Sequence, residues 1–223
     1  MSHRRTAPLT LVFVGLMLSA CSASQPSSPT GDPQAVRDRL AAAGDAPYSA
    51  ALRAVTKSGP RRLQLMEGRV NLNAPFTGRT TDTTEQYTED VVITNQKVYR
   101  RATGTHGPWQ EFPASAAKGG VPTDRLPQYV RLMLGHGASV RQDGEPMRVS
   151  ARLTPKDVES VDRAVGRNLR PATAIDAQAW IDNEGRVVRV TQKIHFESDP
   201  DIEATITFTD FKNPVPVDAP AAS

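Results

Sequence analysis

The sequence predicts an α+β fold, in which a curved antiparallel sheet, or half-barrel, is covered by helices on one side. Consecutive segments alternate apolar and polar residues and are joined by short turns, a pattern typical of antiparallel hairpins. Each segment has a single apolar face, so one side of the sheet must be covered. Two amphipathic segments, residues 124–134 and 154–169, provide helices for that cover.

The first half of the chain begins with a short helix and continues as strands. Residues 35–43 space their apolar side chains by three or four, which predicts a helix. From Tyr48 the pattern alternates, and Gly68 predicts a bulge within the second strand. Residues 80–94 are rich in Thr and Val and pair with 97–103 across a tight turn, which predicts a hairpin.

The second half contains the two covering helices and a three-stranded meander. Residues 124–134 place five apolar side chains on one helical face. Thr154 begins the other helix as its N-cap, followed by a proline at the first position and an acid in the first turn. Between the helices an alternating pattern predicts a strand over 147–153. The final three strands are predicted at residues 173–182, 186–196 and 202–208, and short turns join them.

The N-terminus has the layout of a bacterial lipoprotein signal. Arg4 and Arg5 precede an apolar run, residues 9–18, that is too short to span a bilayer comfortably. The only cysteine closes the tetrapeptide Leu18-Ser19-Ala20-Cys21, which resembles a lipobox. The resemblance implies cleavage before Cys21 and attachment of fatty acids such as palmitate through a diacylglyceryl thioether. Two or more acyl chains anchor a protein stably, so we expect the chain at the extracytoplasmic face of the cell membrane, held by lipid.

These features divide the chain into four parts. Residues 1–20 form the signal peptide, and residues 21–34 form a Ser/Pro-rich flexible tether that begins with the lipidated cysteine. Residues 35–218 form a single domain, because no second linker, internal repeat or long charge block divides them. Residues 219–223 are expected to form a disordered tail.

Composition and motif spacing argue against several functional classes. Arg4 and Arg5 are the only Lys or Arg residues before Cys21, so the mature chain has 25 Lys and Arg against 24 Asp and Glu. This balance excludes the basic surface of a nucleic-acid-binding protein. No histidine spacing fits a metal site, and no nucleophile motif precedes a helix. We therefore expect neither an enzyme nor a bound cofactor.

Three segments of the chain have counterparts in one known family. The first is the block from Trp180 to Arg189, Trp-Ile-Asp-Asn-Glu-Gly-Arg-Val-Val-Arg; the others are residues 205–215 and 90–100. Together they resemble the LppX/LprAFG lipoproteins, which have LolA/LolB-like folds. The resemblance covers residues 48–218. It implies helices packed on the concave face of the sheet, around an apolar cavity that takes acyl chains and carries lipids or glycolipids in the cell envelope.

The polarity of the chain favours a small cavity or a packed core. Only 5% of the residues are aromatic and the mean hydropathy is −0.43, whereas a roomy cavity needs extra apolar lining. The leading hypothesis is a monomeric lipid-binding lipoprotein whose ligand enters between the sheet and the 124–134 helix. The alternative is a packed-core interaction or sensor lipoprotein that binds an envelope protein or the cell wall. The predicted ligand-binding residues are Leu126, Tyr129, Val130, Met133, Val188, Val190, Ile194, Ile206 and Phe208.

A few other residues admit two interpretations. Trp180 is either a core ring or a ligand contact. Asp176 and Asp182 share a strand face, and they are either an acid/base pair or ordinary exposed acids. His195 alternates with apolar neighbours and is expected to face solvent.

Overall fold

The computed structural model describes residues 31–44, 46–73, 75–117, 119–142 and 144–221. Its helices are α1 (Pro33–Ala42), α2 (Leu126–Gly135), α3 (Pro155–Val161) and α4 (Arg163–Asn168), with short 3-10 helices at Ala114–Ala117 and Thr123–Arg125. The strands are β1 (Tyr48–Ser58), β2 (Arg61–Leu72), β3 (Thr77–Thr84), β4 (Thr88–Ile93), β5 (Lys97–Ala102), β6 (Gln110–Pro113), β7 (Ser139–Arg141), β8 (Met147–Leu153), β9 (Ala172–Ile181), β10 (Val187–Phe196) and β11 (Ile202–Lys212). No helix in these ranges is long and apolar enough to cross a membrane.

All eleven strands form one antiparallel sheet in the order β6-β5-β4-β3-β2-β1-β11-β10-β9-β8-β7. Strands β1 and β11 pair in the middle, and from there each half of the sheet follows chain order outward, mostly through hairpins. Strands β6 and β7 are the two edges, so the sheet is not closed. The predicted α+β architecture on a curved antiparallel sheet is confirmed.

The helices cover one face of the sheet, which we call the inner face. Helix α2 contacts β8, and α1 and α3 contact β9. The backbone register aligns inner-face residues in rows, and a central row consists of Ala54, Ile206, Val190, Ala179 and Val149. Except for the half-buried Ala54, this row is buried in the main core together with the apolar faces of the helices.

Strands β2 and β3 approach each other closely at two glycines. A Cβ atom added at Gly68 would lie 2.2 Å from the carbonyl oxygen of Arg79, and one at Gly78 would lie 2.4 Å from that of Arg69. No side chain fits at either contact. The pairing of β2 with β3 continues without a register shift at Gly68, so the predicted bulge there is wrong. The glycine instead allows β2 and β3 to lie close together.

The helix predicted over residues 154–169 is two helices, because Asp162 interrupts it. Thr154 begins α3 with a capping box, as expected. Asp162 has an extended backbone, and its carboxylate accepts hydrogen bonds from the N–H groups of Ala164 and Val165, which caps α4. An aspartate that caps a new helix competes with continuation of the preceding one.

The break changes which residues face the core. Val158 and Val165 are fully buried, whereas Val161, predicted to share their stripe, is half-buried. Helix α4 packs closely on α3, since a Cβ added at Gly166 would lie 2.4 Å from the Cα of Glu159. Only glycine fits at this contact, and the two short helices together form one layer over the sheet.

The segment predicted as a single strand over residues 80–94 is a hairpin of its own. Strands β3 and β4 flank a turn in which the Thr84 hydroxyl accepts hydrogen bonds from the N–H groups of Gln86 and Tyr87. The turn, residues 84–87, contains no Gly, Pro, Asn, Asp or Ser, which are the residues that usually mark a turn.

Hydrogen bonds hold both ends of the described chain to the rest of the domain. The Gly31 N–H donates to the carbonyl oxygen of Val140, and Asp32 caps α1, so residues 31–34, predicted as part of the tether, are in contact with the domain. Near the C-terminus, Asn71 exchanges two side-chain hydrogen bonds with the backbone of Val215 and holds it against β2. The predicted signal peptide, Cys21 and the tether up to residue 30 lie outside the described residues.

Candidate functional site

The residues predicted to bind ligand on α2 belong to the packed core. Leu126, Tyr129, Val130 and Met133 are at most 2% exposed and pack in the main core. None of the four lines either of the cavities described below. Their apolar face therefore covers the sheet, as the amphipathic pattern of residues 124–134 also predicts.

The predicted residues on the strands lie mostly on the inner face as well. Val190, Ile194 and Phe208 are buried, and Val188 is half-buried. A register shift in the pairing of β10 with β9 near Val188 turns Val187 into the core instead. Of the nine residues predicted to bind ligand, Ile206 is the one that lines a cavity.

A cavity of about 100 Å³ lies between the middle of the sheet and the segment that precedes α2; we call it the inner cavity. Its floor is the inner face of β1, β2 and β11, and its wall is the segment 119–123. The lining residues are Leu52, Ala54, Val55, Thr56, Gln64, Met66, Phe76, Gly119, Gly120, Val121, Thr123, Ala204, Thr205 and Ile206.

A second cavity, of about 130 Å³, shares part of its lining with the inner cavity. Both cavities are lined by Phe76 and Thr123. The ring of Phe76 also packs against both hydrophobic clusters, the main core and the smaller one of Val91, Ile93 and Val98. Phe76 thus forms part of the wall of both cavities.

A polar row crosses the inner face at one end of the inner cavity. The register places Gln64 opposite Thr56, Thr56 opposite Ala204, and Ala204 opposite Gln192. The adjacent row is apolar from Met66 through Ala54 to Ile206 and reaches the buried Asp82 on β3. The cavity therefore has an apolar body and a polar end.

The two glutamines of this row have different partners. The Gln64 amide nitrogen donates to both carboxylate oxygens of Asp82, at 2.9 and 2.7 Å, and Asp82 is only 1% exposed. The Gln192 amide nitrogen donates to the Tyr129 hydroxyl oxygen at 2.6 Å. Burial raises the pKa of Tyr129, and the hydrogen bond from Gln192 partly opposes that shift. Tyr129 therefore stays neutral throughout the physiological range.

The other charged residues considered from the sequence form ion pairs on the opposite, outer face or in turns. Asp176 binds His195 at 2.7 Å and Arg152 at 3.3 Å. Asp182 instead binds Arg186 in the β9–β10 turn. The two acids therefore belong to separate ion pairs. His195 lies on the outer face, as the alternation predicts, and its partly exposed ring binds Asp176 on one side and Asp201 on the other.

Trp180 lies on the outer face under the guanidinium group of Arg189, which is 4.8 Å from its ring centroid. Trp180 is half-buried and does not line the inner cavity. It is therefore neither a core ring nor a contact of this cavity. In the described part of the chain no group of three or more His, Cys, Asp or Glu side chains is placed to hold a metal ion.

The sequence did not indicate the residues that shape the cavity, notably Gln64, Phe76 and the pair Gly119-Gly120. One pattern points to part of this set. Gln64, Asp82 and Gln192 are polar residues at inward positions of alternating strands. A polar residue in an otherwise apolar inward position marks either a buried hydrogen bond or a site.

Comparison with solved structures identifies proteins of similar fold. The lipoprotein LppX of Mycobacterium tuberculosis matches with a TM-score of 0.53 and 16% identity, over 84% of this chain and 100% of that chain. A LolA superfamily protein from Nitrosomonas europaea matches with a TM-score of 0.36 and 8% identity, over 86% of this chain and 96% of that chain. No protein-family model matches the sequence, and no curated protein matches it significantly.

The likeness to LppX extends over nearly the whole described domain. It concerns the features established above, an eleven-stranded antiparallel sheet that is curved and unclosed, with helices on its inner face. The family resemblance seen in the sequence is confirmed at the level of structure: this chain has an LppX-like fold.

Proposed function

We propose that this protein is a lipid-anchored, extracytoplasmic lipoprotein that binds a lipid in the inner cavity and carries it within the cell envelope. The observation that supports this most directly is the inner cavity, with its apolar floor between the sheet and the segment 119–123. The lipobox at residues 18–21 supports the anchor. The fold shared with the lipoprotein LppX supports the class of protein. The proposal includes no enzymatic step.

The cavity must enlarge to take an acyl chain. Pockets for organic ligands measure ~300–1,000 Å³, whereas the inner cavity and its neighbour measure about 100 and 130 Å³. Displacement of Phe76 and the segment 119–123 joins the two spaces and opens them. Each buried methylene contributes about 0.8 kcal/mol, so a chain of ~10 methylenes offsets an opening cost of several kcal/mol.

The proposed entrance differs from the one expected from the sequence. Helix α2 is fully packed, so moving it would expose the buried side chains of Tyr129, Val130 and Met133. The segment 119–123 contributes two buried apolar side chains, Val121 and Pro122, and begins with two glycines. Opening this segment therefore exposes less apolar surface than opening the helix that follows it.

The test is to look for a non-covalently bound lipid and for its re-uptake. Organic-solvent extraction of the purified mature protein, followed by mass spectrometry, should yield a free lipid. The delipidated protein should then take up a fluorescent fatty-acyl probe to saturation. Phe76→Ala joins the two cavities and should increase uptake. Phe211→Ala, at a half-buried phenylalanine that lines neither cavity, is the matched control and should leave uptake unchanged.

The opposite result identifies the alternative function. If the extract contains no lipid and the delipidated wild type takes up no probe, the lipid-binding proposal is wrong. A packed-core interaction or sensor lipoprotein, which binds an envelope protein or the cell wall, is then the better explanation.

A further inference from the structure

Gln192 has a buried hydrogen-bond acceptor that no donor satisfies within the described part of the chain. Its side chain is 2% exposed, and its Oε1 atom makes no hydrogen bond. The Nε2 atom of the same amide donates to the Tyr129 hydroxyl oxygen. An unpaired buried acceptor destabilises the state that contains it, so it favours a state in which a donor reaches that oxygen.

The segment that closes the inner cavity also covers this acceptor. A Cβ atom added at Gly120 would lie 3.4 Å from Oε1 of Gln192 and 3.6 Å from Cδ1 of Ile194. Gly119 and Gly120 line the inner cavity, and so does Ala204, the strand neighbour of Gln192. Displacement of this segment therefore opens the cavity and uncovers Oε1 of Gln192 together.

Gln64 provides a second acceptor at the same polar end. Its amide nitrogen is committed to the two carboxylate oxygens of Asp82, which leaves Oε1 of Gln64 as the atom available to a ligand. The Thr56 hydroxyl lies between the two glutamines in the row. The polar end of the cavity thus offers two amide oxygens to a group that donates hydrogen bonds.

Charge distinguishes among lipids with polar heads. None of the described residues that line the inner cavity is charged, so none of them can form an ion pair with a phosphate or a carboxylate. The buried carboxylate of Asp82 lies directly behind Gln64 and repels an anion at this end of the cavity. Both conditions favour an uncharged head.

We propose that Gln192 and Gln64 form a headgroup subsite of the inner cavity, which accepts hydrogen bonds from the hydroxyl groups of an uncharged lipid such as a monoacylglycerol. This inference rests on the proposed lipid-binding function and adds the chemical class of the head. The acyl chain occupies the apolar body of the cavity, over Ala54 and Ile206. Hydroxyl groups then satisfy the acceptor that is unpaired in the closed protein.

The experiment compares three competitors that share one oleoyl chain and differ in the head. Each displaces a fluorescent fatty-acyl probe from the delipidated mature protein. 1-Oleoylglycerol donates hydrogen bonds, methyl oleate donates none, and 1-oleoyl lysophosphatidic acid is anionic. We expect 1-oleoylglycerol to bind at least about fivefold more tightly than methyl oleate, which corresponds to one net hydrogen bond. Lysophosphatidic acid should bind more weakly than 1-oleoylglycerol.

Variants connect this preference to the proposed atoms. Gln192→Met and Gln64→Met retain the size of the side chain and remove the amide oxygen, so each should reduce the preference for 1-oleoylglycerol over methyl oleate. Gln178→Met, at a half-buried glutamine on the outer face of β9, is the control and should retain it. Thermal unfolding verifies that each variant is folded, and methyl oleate affinity should stay unchanged.

Each outcome separates this inference from the function on which it rests. Uptake of the probe without any preference for 1-oleoylglycerol overturns the subsite and leaves lipid binding intact. A preference for lysophosphatidic acid also overturns it. A preference that survives in both Gln→Met variants shows that other groups recognise the head. Absence of probe uptake by the wild type contradicts lipid binding itself.

Discussion

Ala54→Leu distinguishes a cavity that accepts added carbon from a core that is already full. Ala54 lies on the inner face of β1, opposite Met66 and Ile206, and its side chain lines the inner cavity. Leucine adds three carbon atoms to this side chain. A cavity of about 100 Å³ has room for them without moving the sheet.

The magnitude follows from the burial of the added carbons. At about 0.8 kcal/mol each, three buried carbons contribute up to ~2.4 kcal/mol. Ordering the leucine side chain costs ~0.5–1 kcal/mol, so the net stabilisation is about 1.5 kcal/mol. For a domain of this size, 1.5 kcal/mol raises the Tm by ~3–6 °C. An acyl chain must displace the same contacts, so probe affinity should fall about tenfold.

Thermal unfolding and probe titration of the same variant test both values. Ala51→Leu is the matched control, because Ala51 lies on the outer face of the same strand, opposite Arg69 and Thr209. It should change neither quantity appreciably. A lower Tm for Ala54→Leu, which indicates overpacking by ~1–3 kcal/mol, would refute the reasoning, since the site would then have no usable space.

Three further predictions concern stability and anchoring. Val158→Asp should lower the free energy of unfolding, measured in urea, by about 3 kcal/mol or more, and Val161→Asp should lower it much less, because of the two only Val158 is fully buried. Equal losses in the two variants would contradict the helix break at Asp162. His136→Gln should lower stability by at most about 1 kcal/mol at pH 5 and by less at pH 9. Hydrogen bonding to the Leu132 carbonyl and pairing with Asp157 raise the pKa of His136 above 6.5. The stabilisation is therefore complete below pH 6.5 and is lost as the pH rises through the raised pKa. A loss of stability that does not change with pH would show that the charge of His136 does not stabilise the fold. Cys21→Ser should move the protein from the detergent phase to the aqueous phase in detergent partitioning; an unchanged distribution would contradict lipidation.

Hairpin periodicity predicted the sheet but not every boundary within it. The last three strands matched expectation because short turns separate strictly alternating segments, for which local chemistry and tertiary packing agree. The prediction failed at Asp162 and at the β3–β4 turn. At both places a polar side chain caps the backbone through hydrogen bonds that residue spacing does not reveal.

The candidate site was predicted less well than the fold. An apolar stripe on a helix has the same pattern whether it packs against a sheet or lines a cavity. Leu126, Tyr129, Val130 and Met133 pack in the core, and the cavity lies beside the segment that precedes them. The residues that enclose it are far apart in sequence, including Gln64, Phe76 and Gly120, and only the register of β1, β2 and β11 brings them together.

The sequence by itself determined the features that depend on neighbouring residues. Those features are the alternation that makes strands, the capped start of α3, and the lipobox-like motif that predicts an anchor. Tertiary structure alone decided which apolar faces are filled and which leave space. It also decided that the Gln192 amide oxygen is unpaired and that Gly120 covers it. The physical reason is that packing and hydrogen-bond satisfaction depend on contacts between distant strands, whose distances local patterns do not encode.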